Sequence, residues 1–546
     1  MDRYDSSVDD PGAAQSPEAI EDFIIITTTH RLKRLRALRA GVLSALCLAT
    51  LAGCAIGPRY RSPRTPSVHR YTSRREPQTT SAPGGAAGAA QRFRYGVSPP
   101  LEWWTAFRSE AVDHLVALAL RRNPTLATDR ARLLEARAAV AADEGAFYPQ
   151  VNANLGATRQ KSSGAFHTGP GAGIYSLYTG GLSVSYYPDV FGINKLVYNS
   201  ANSLALYQRD QLLAAQLSLI GNVVTTAVQA ASDQAQVAAT QRIVRSETRL
   251  LALTRMQYRA GAVPYLSVVN QESQLATSKA ALPSLLQQLA TARYALAVLI
   301  GEFPAQWRPI HLRLSHLYLP RALPVSLPSA LVKNRPDIRA ATEQLRYANA
   351  QIGIADAQFY PSVQLTATFG QESLTPGSFL NSASNVWSLA GSLLAPIFHG
   401  GTLRAQRQEA VDLYAGTLAT YRATVLGAFQ QVAGVLRALA HDAQALSDER
   451  AAYRASREAL TLAQESYRAG AIDSLSLLTT EALYSQARIA YVRAEAQRYL
   501  DTVALYTAIG GGRLPPAAAL LGPPQATATK TVSPSVSPAK SQRNKP

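Results

Sequence analysis

Few residues of this 546-residue chain stand where covalent chemistry could use them. It has two cysteines, Cys47 and Cys54. Cys54 closes the run Leu51-Ala52-Gly53-Cys54, behind an apolar stretch from Gly41 to Leu51 and a basic flank of Arg31, Lys33, Arg34, Arg36 and Arg39. That order matches an export signal ending in a lipoprotein cleavage box. Its apolar stretch of about a dozen residues is too short to stay behind as a bilayer-crossing helix. The expected chemistry is a thioether between the Cys54 sulfur and a diacylglycerol, followed by cleavage that makes Cys54 the new N-terminus. Residue 55 is Ala, where an Asp would mark retention at an inner membrane, so sorting to an outer membrane is expected. Residues 1–30 precede the basic flank and are expected to be an over-extended gene start.

Other chemistries find no residues. The eight His are scattered without metal-ligand spacing, and removal of the signal would leave no cysteine for a disulfide. No phosphate-binding loop, dinucleotide fingerprint or nucleophile elbow occurs. A hydrolase would need a nucleophile beside a base, and no such constellation is present. The chain is therefore expected not to be an enzyme, and to carry no metal and no cofactor besides the lipid on Cys54.

A second group of residues has spacing but no reactivity. Tyr258-Arg259-Ala260-Gly261-Ala262, then Leu266-Ser267 and Glu272, recurs 209 residues later as Tyr467-Arg468-Ala469-Gly470-Ala471, then Leu475-Ser476 and Glu481. A Gly among small residues, between two long stretches free of helix breakers, predicts the tip of a helical hairpin. An offset this long implies a duplicated half.

The elements that carry these tips follow from periodicity. Helical patterns run from about 108 to 121 and from Thr125 to Glu144, behind Asn123-Pro124. After Phe147-Tyr148-Pro149 the period falls to two: Val151, Ala153, Leu155 and Ala157 alternate with Asn152, Asn154 and Gly156, and Leu182, Val184 and Tyr186 alternate with Ser183 and Ser185. Such strands suit a membrane β-barrel. From Gly192 to Tyr258 one helix of about 65 residues is predicted, roughly 100 Å long. A return helix follows from Leu266 to Leu299, with a kink expected at Pro283. The second half repeats the order. Arg335-Pro336-Asp337 opens a helix ending at Phe359-Tyr360-Pro361, and Pro336 to Tyr360 spans 24 residues, as does Pro124 to Tyr148. A third strand covers Val363 to Phe369 and a fourth Val386 to Ala395. Long helices then run from Leu403 to Tyr467 and from Ser474 to Ala508.

Charge is +18 overall, but residues 55–100 carry eight basic and one acidic residue, and 511–546 five basic and none acidic. The basic excess lies in the ends, which argues against a folded nucleic-acid-binding face. Domains are expected at 1–53 (extension and signal), 54–100 (lipidated flexible linker), 101–310 and 311–512 (two repeats) and 513–546 (disordered tail).

Four strands cannot close a barrel, for which about eight is the minimum, and lipid tolerates no open sheet edge. Copies must pool their strands. Two give eight and three give twelve, and the Ser/Thr/Asn/Gln stripes imply a wet lumen that favours the wider barrel. The helices carry charge throughout and are expected outside the bilayer.

Here the chain resembles the TolC-like outer membrane factors, in their NodT-type lipoprotein branch. The resemblance covers roughly 101–510 and rests on Trp103-Trp104 with Phe107, Asn123-Pro124, Phe147-Tyr148-Pro149, Pro188-Asp189-Val190-Phe191-Gly192, Leu296 to Gly301, Leu327-Pro328 and, most specifically, Arg335-Pro336-Asp337-Ile338 with Phe359-Tyr360-Pro361. It implies a mostly α TolC-like fold with equatorial helices, a long periplasmic helical barrel and a twelve-stranded outer membrane barrel from a homotrimer. It implies docking on a periplasmic adaptor fed by an inner-membrane transporter, and a passive exit duct for small molecules. A type I protein-secretion channel and a lipid-anchored coiled-coil scaffold are the alternatives; a scaffold would need no alternating strands. The tips would form the gate and adaptor contact through Tyr258, Gly261, Tyr467 and Gly470, with Arg259, Arg468 and Asp473 joining hydrogen bonds there. Some members carry aspartates at the positions of Ser267 and Ser476; without them, an anionic constriction is not expected.

Overall fold

The structure, a computed structural model, describes residues 56–73, 78–83, 85–161 and 173–512. Cys54 and the tail 513–546 lie outside the described residues. In chain order the elements are β1 (Thr79–Thr80), β2 (Gln91–Tyr95), α1 (Glu110–Arg122), α2 (Pro124–Glu144), β3 (Gln150–Lys161), β4 (Ile174–Tyr186), α3 (Ile193–Arg259), α4 (Tyr265–Leu299), β5 (Ala322–Val325), α5 (Pro328–Asn334), α6 (Pro336–Ala357), β6 (Ser362–Ser373), β7 (Asn385–Leu394), α7 (Thr402–Arg468) and α8 (Ser474–Ala508). The helices of 67 and 35 residues occur twice, as α3 with α4 and α7 with α8. The chain divides into two compact units: one holds Asp143–Tyr198 and Ala350–Ala410, the other Arg59–Ala142, Asn199–Asn349 and the chain from Val411.

The first unit is built on an antiparallel sheet in the order β3-β4-β6-β7. Its register aligns residues of like polarity across all four strands. Ala153 pairs with Leu182, Leu182 with Phe369 and Phe369 with Trp387, while the adjacent row runs Asn152, Ser183, Thr368, Ser388. Side chains alternate faces along a strand, so one face is apolar and the other small and polar. Thr368 and Ser388 share a hydrogen bond of 2.7 Å on the polar face. Leu155, Trp387 and Leu389 on the apolar face are exposed. The outer strands β3 and β7 each have one edge without a partner among the described residues. Where β4 gives way to α3, the Asp189 carboxylate accepts the backbone N–H groups of Asn194 and Lys195, both at 2.9 Å. That caps donors a helix start otherwise leaves unpaired.

The second unit packs helices around Trp103, Phe107, Leu115, Leu212, Val223, Leu296, Leu323, Val432 and Tyr499. The Trp103 ring stacks on Tyr506 with centroids 5.1 Å apart. The Arg-Pro-Asp motif has a structural use. Pro336 starts α6, and the buried Arg335 donates to Asp337 Oδ1 at 2.9 Å, to the Ala508 carbonyl at 2.7 Å and to Gln431 Oε1 at 2.5 Å. One guanidinium thus ties α6 to α7 and to the end of α8. Helices α3 and α7 each contain an 18-residue window apolar enough for a membrane span, with mean hydropathy 1.4 and 1.3. In α3 much of that apolarity is core: Leu212, Leu213, Leu219, Ile220, Val223 and Val224 are buried within the unit. Pro283, where a kink is expected, lies inside α4, which continues on both sides of it.

Part of the segment expected as a flexible linker over 54–100 is tied to the rest of the unit. β2 pairs antiparallel with β1 and parallel with β5. Arg498, fully buried on α8, donates to the Ala87 carbonyl at 2.7 Å and to Gln91 Oε1 at 3.0 Å. Tyr71 donates to the Ser326 carbonyl at 2.7 Å. Backbone groups here are held by side chains hundreds of positions away, so composition alone misjudges the segment.

Candidate gating site at the hairpin tips

Both tips end their long helix the same way. Gly261 has φ +75° and Gly470 φ +74°, the left-handed region that only glycine enters freely. The Gly261 N–H donates to the Tyr258 carbonyl and the Ala262 N–H to the Gln257 carbonyl, both at 2.9 Å. In the second copy Gly470 donates to the Tyr467 carbonyl at 3.1 Å and Ala471 to the Ser466 carbonyl at 2.8 Å. These are the paired bonds of a Schellman ending, which satisfies the last carbonyls of a helix. A methyl at either glycine would meet nothing within 4 Å, so the backbone angle, not space, requires it.

The return helices start differently. α4 has Pro264 at its N-cap without a side-chain bond. α8 has Asp473, whose Oδ1 accepts the Ser476 N–H at 2.9 Å. Hydrogen bonding by the Ser476 side chain first, and then by its N–H, holds the exposed Asp473 carboxyl below its usual range.

Two hydrogen bonds join the hairpins. The Tyr467 hydroxyl donates to Gln257 Oε1, and Ser474 Oγ donates to Ser267 Oγ, both at 2.7 Å. Tyr467 is 5 % exposed, whereas its counterpart Tyr258 is 44 % exposed and lies against the Tyr265 ring at 5.4 Å. The duplicated tyrosines have therefore taken different roles. Arg259 and Arg468 are exposed, and neither makes an ion pair or hydrogen bond among the described residues. The expectation that they join tip hydrogen bonds is therefore not met within one chain among the described residues.

Behind the tips the copies diverge further. In the first hairpin Arg255 on α3 bridges Glu272 on α4 at 2.6 Å. At the corresponding places in the second hairpin stand Gln464 and Glu481, so Glu481 has no arginine. It is instead buried, as is Glu247 on α3. Glu247 Oε1 accepts from Ser278 Oγ at 2.8 Å and from Gln274 at 3.2 Å. Burial pushes the Glu247 carboxyl up. Burial first, and then the charge of Glu247, push Glu481 up to about 7.

Of the residues singled out from sequence, the structure joins Tyr467 to the opposite hairpin and makes Asp473 a cap, and it leaves Tyr258, Arg259 and Arg468 at the surface. Gln257, Ser474 and Glu247 were not singled out. Their signal was the places where the copies differ: Gln257 corresponds to Ser466, Ser474 to Tyr265 and Glu247 to Ser456. No group of three or more His, Cys, Asp or Glu able to hold a metal occurs among the described residues.

Known proteins resemble this arrangement over most of its length. The pattern defining the outer membrane efflux protein family matches residues 115–302 and again 327–511. Over 458 residues the chain is 32% identical to the pyoverdine export outer membrane protein OpmQ of Pseudomonas aeruginosa, spanning 80% of this chain and 94% of that one. The fold superimposes on the outer-membrane channel OprN with TM-score 0.75 at 27% identity, covering 84% of this chain and 99% of OprN. It superimposes on the open state of the MtrE outer membrane channel of Neisseria gonorrhoeae with TM-score 0.72 at 28% identity, covering 84% and 98%.

Proposed function

The chain belongs to the outer membrane efflux protein family, and on that premise we propose that three copies close one passive exit duct whose opening is set where the paired hairpins end. The protein is a TolC-like outer membrane component of an efflux system, with its long helices in the periplasm. The observation that carries the trimer is the sheet. Its four strands align apolar residues on one face and Asn, Ser and Thr on the other, with two edges unpaired among the described residues. Lipid leaves no edge unpaired, so neighbouring copies supply the missing strands. Twelve strands leave the polar face room to line water.

The proposed mechanism uses no covalent step. Substrate passes down the duct when the tips part, and the tips part when an adaptor, itself bound to an inner-membrane transporter, contacts the splayed arrangement more strongly than the closed one. Gly261 and Gly470 shape the two tips, Tyr467 and Ser474 hold the second against the first, Asp473 caps the start of α8, and exposed Tyr258, Arg259 and Arg468 face the adaptor. Relatives of this chain export chemically unlike compounds, a pyoverdine in one case and toluene in another. That breadth suits a duct that leaves selection to its transporter. Cys54 is proposed to carry the lipid that adds an anchor to the outer membrane.

Purified protein should run as a trimer after cross-linking and conduct in planar bilayers. A monomer that gives no conductance overturns the duct. Cys54→Ser should abolish incorporation of radiolabelled palmitate; unchanged labelling removes the anchor.

A further inference from the structure

We propose that Glu247 and Glu481 form a proton-dependent latch between the two hairpins, a positioning pair that holds the tips together when one carboxyl is protonated and loosens them when both are charged. The consequence for opening rests on the tip gate described above; the protonation itself does not.

The geometry isolates the pair. Glu247 lies on α3, eleven residues before Tyr258, or about 16 Å along the helix at ~1.5 Å per residue. Glu481 lies on α8, and the two are 1 % and 3 % exposed. Glu247 Oε2, Glu481 Oε2 and Gln271 Nε2 are buried there without hydrogen-bond partners. Each element packed around them supplies neutral groups, engaged charges or charges exposed to water. On α4, Gln274 and Ser278 bind Glu247, Gln271 offsets part of the rise at Glu481, and Lys279 is exposed. On α3, Arg255 is held by Glu272, while Arg245 and Arg249 are exposed. On α8, Arg488 lies over the Tyr453 ring of α7, 4.9 Å from its centroid, beside Tyr484, and the exposed Arg457 of α7 acts on that same tyrosine. On α7 the counterpart of Arg255 is the neutral Gln464. The charge that acts on Glu481 is therefore that of Glu247, and no cation offsets it.

Two buried like charges disfavour ionisation of both. In the latched state the Glu481 carboxyl is raised from the ordinary 4.5 to about 7. Parting the hairpins admits water and returns it toward the ordinary value. The sign follows: the latch is fully favoured below the ordinary value, weakens as pH rises toward the latched value, and is weakest above it. Across that window the parted-to-latched ratio rises up to about tenfold per pH unit and then levels off. The divergence of the repeats gives the device its place. The first hairpin keeps an Arg–Glu pair at the equivalent level, whereas the seam between hairpins holds two carboxyls without an arginine.

The test uses full-length protein, native and with Glu481→Gln. Infrared difference spectra between pH 5 and pH 8 should show a protonated-carboxyl band that titrates near 7 in the native protein and is lost in the variant. Asp442, pushed up to about 8 by burial and by Asp501, titrates nearby in both proteins, so the difference between them is what is read. In planar bilayers the native open fraction should rise from pH 5 to 7 and plateau, while Glu481→Gln stays low and flat. Glu247→Gln, which removes the partner charge, should move the midpoint below 7 and serves if the first variant fails to fold. Identical infrared titrations in native and variant protein, or an unchanged pH profile of opening in both variants, overturn the latch. If the carboxyl band behaves as stated but no protein conducts at any pH, the duct reading falls and the latched proton stands.

Discussion

The Tyr467 hydroxyl reaches 2.7 Å to Gln257 Oε1, so the end of the second hairpin is tied to the end of the first by a bond that the duplicated residues cannot make in reverse. Tyr258 sits at the equivalent place, exposed, against Tyr265.

That asymmetry sets the first prediction. Tyr467→Phe keeps the buried ring and removes only the hydroxyl, a loss of about 0.5–1.5 kcal/mol from the closed arrangement. The open fraction in planar bilayers should rise about two- to tenfold. Tyr258→Phe, at a hydroxyl that joins nothing across the seam, should leave it unchanged. Equal effects from the two variants would mean that the bond does not hold the tips.

A second prediction concerns Gly470. Its φ of +74° faces open space, so Gly470→Ala pays only the left-handed backbone penalty of about 1–2 kcal/mol. Amide exchange over residues 466–474 should quicken about five- to thirtyfold, with the rest of α7 unaffected. Gly470→Asn, which tolerates that region better, should lie between.

Much of this architecture was legible because breakers bound each long helix. Gly192 and Gly261 bracket α3, and Gly401 and Gly470 bracket α7, so an uninterrupted pattern between them could be little else. The strands were legible because lipid and water on opposite faces force a strict period of two, seen in Ala153 against Asn152 and Phe369 against Thr368. Residues 79–95 were not legible. Their order depends on Arg498, more than 400 positions away, and their composition is that of a solvated segment. The tip was half legible. Repetition exposed Gly261 and Gly470, but the bonds joining the hairpins use Gln257 and Ser474, where repetition fails. Arg259 and Arg468 repeat faithfully and make no bond among the described residues, so repetition there marks something other than the structure those residues form.

The third prediction tests the sheet's faces. Trp387 lies in the apolar row with Ala153, Leu182 and Phe369, and Thr368 lies in the polar row. If the apolar row meets lipid, Trp387→Arg costs about 2–4 kcal/mol near the midplane and should sharply lower the yield of folded, heat-resistant oligomer. Thr368→Arg, facing water, should assemble normally and shift ion selectivity toward anions. The opposite pattern would turn the sheet inside out.

The last prediction concerns Arg335, whose guanidinium reaches the Ala508 carbonyl, Gln431 and Asp337 from a buried position. An ammonium has the charge but not the planar fork that meets three acceptors at once. Arg335→Lys should therefore leave at least one buried acceptor unpaired, at about 1–3 kcal/mol, and Arg335→Ala should cost about 3–5 kcal/mol because Gln431 and the last carbonyl of α8 both lose their donor. Thermal unfolding of the purified protein checks the order: native above Lys above Ala. The tips give the control. Arg468→Ala, at an arginine with no partner among the described residues, should leave the unfolding temperature where it was. A fall as large as that of Arg335→Ala would show that Arg468 is held by a neighbouring copy rather than left for an adaptor.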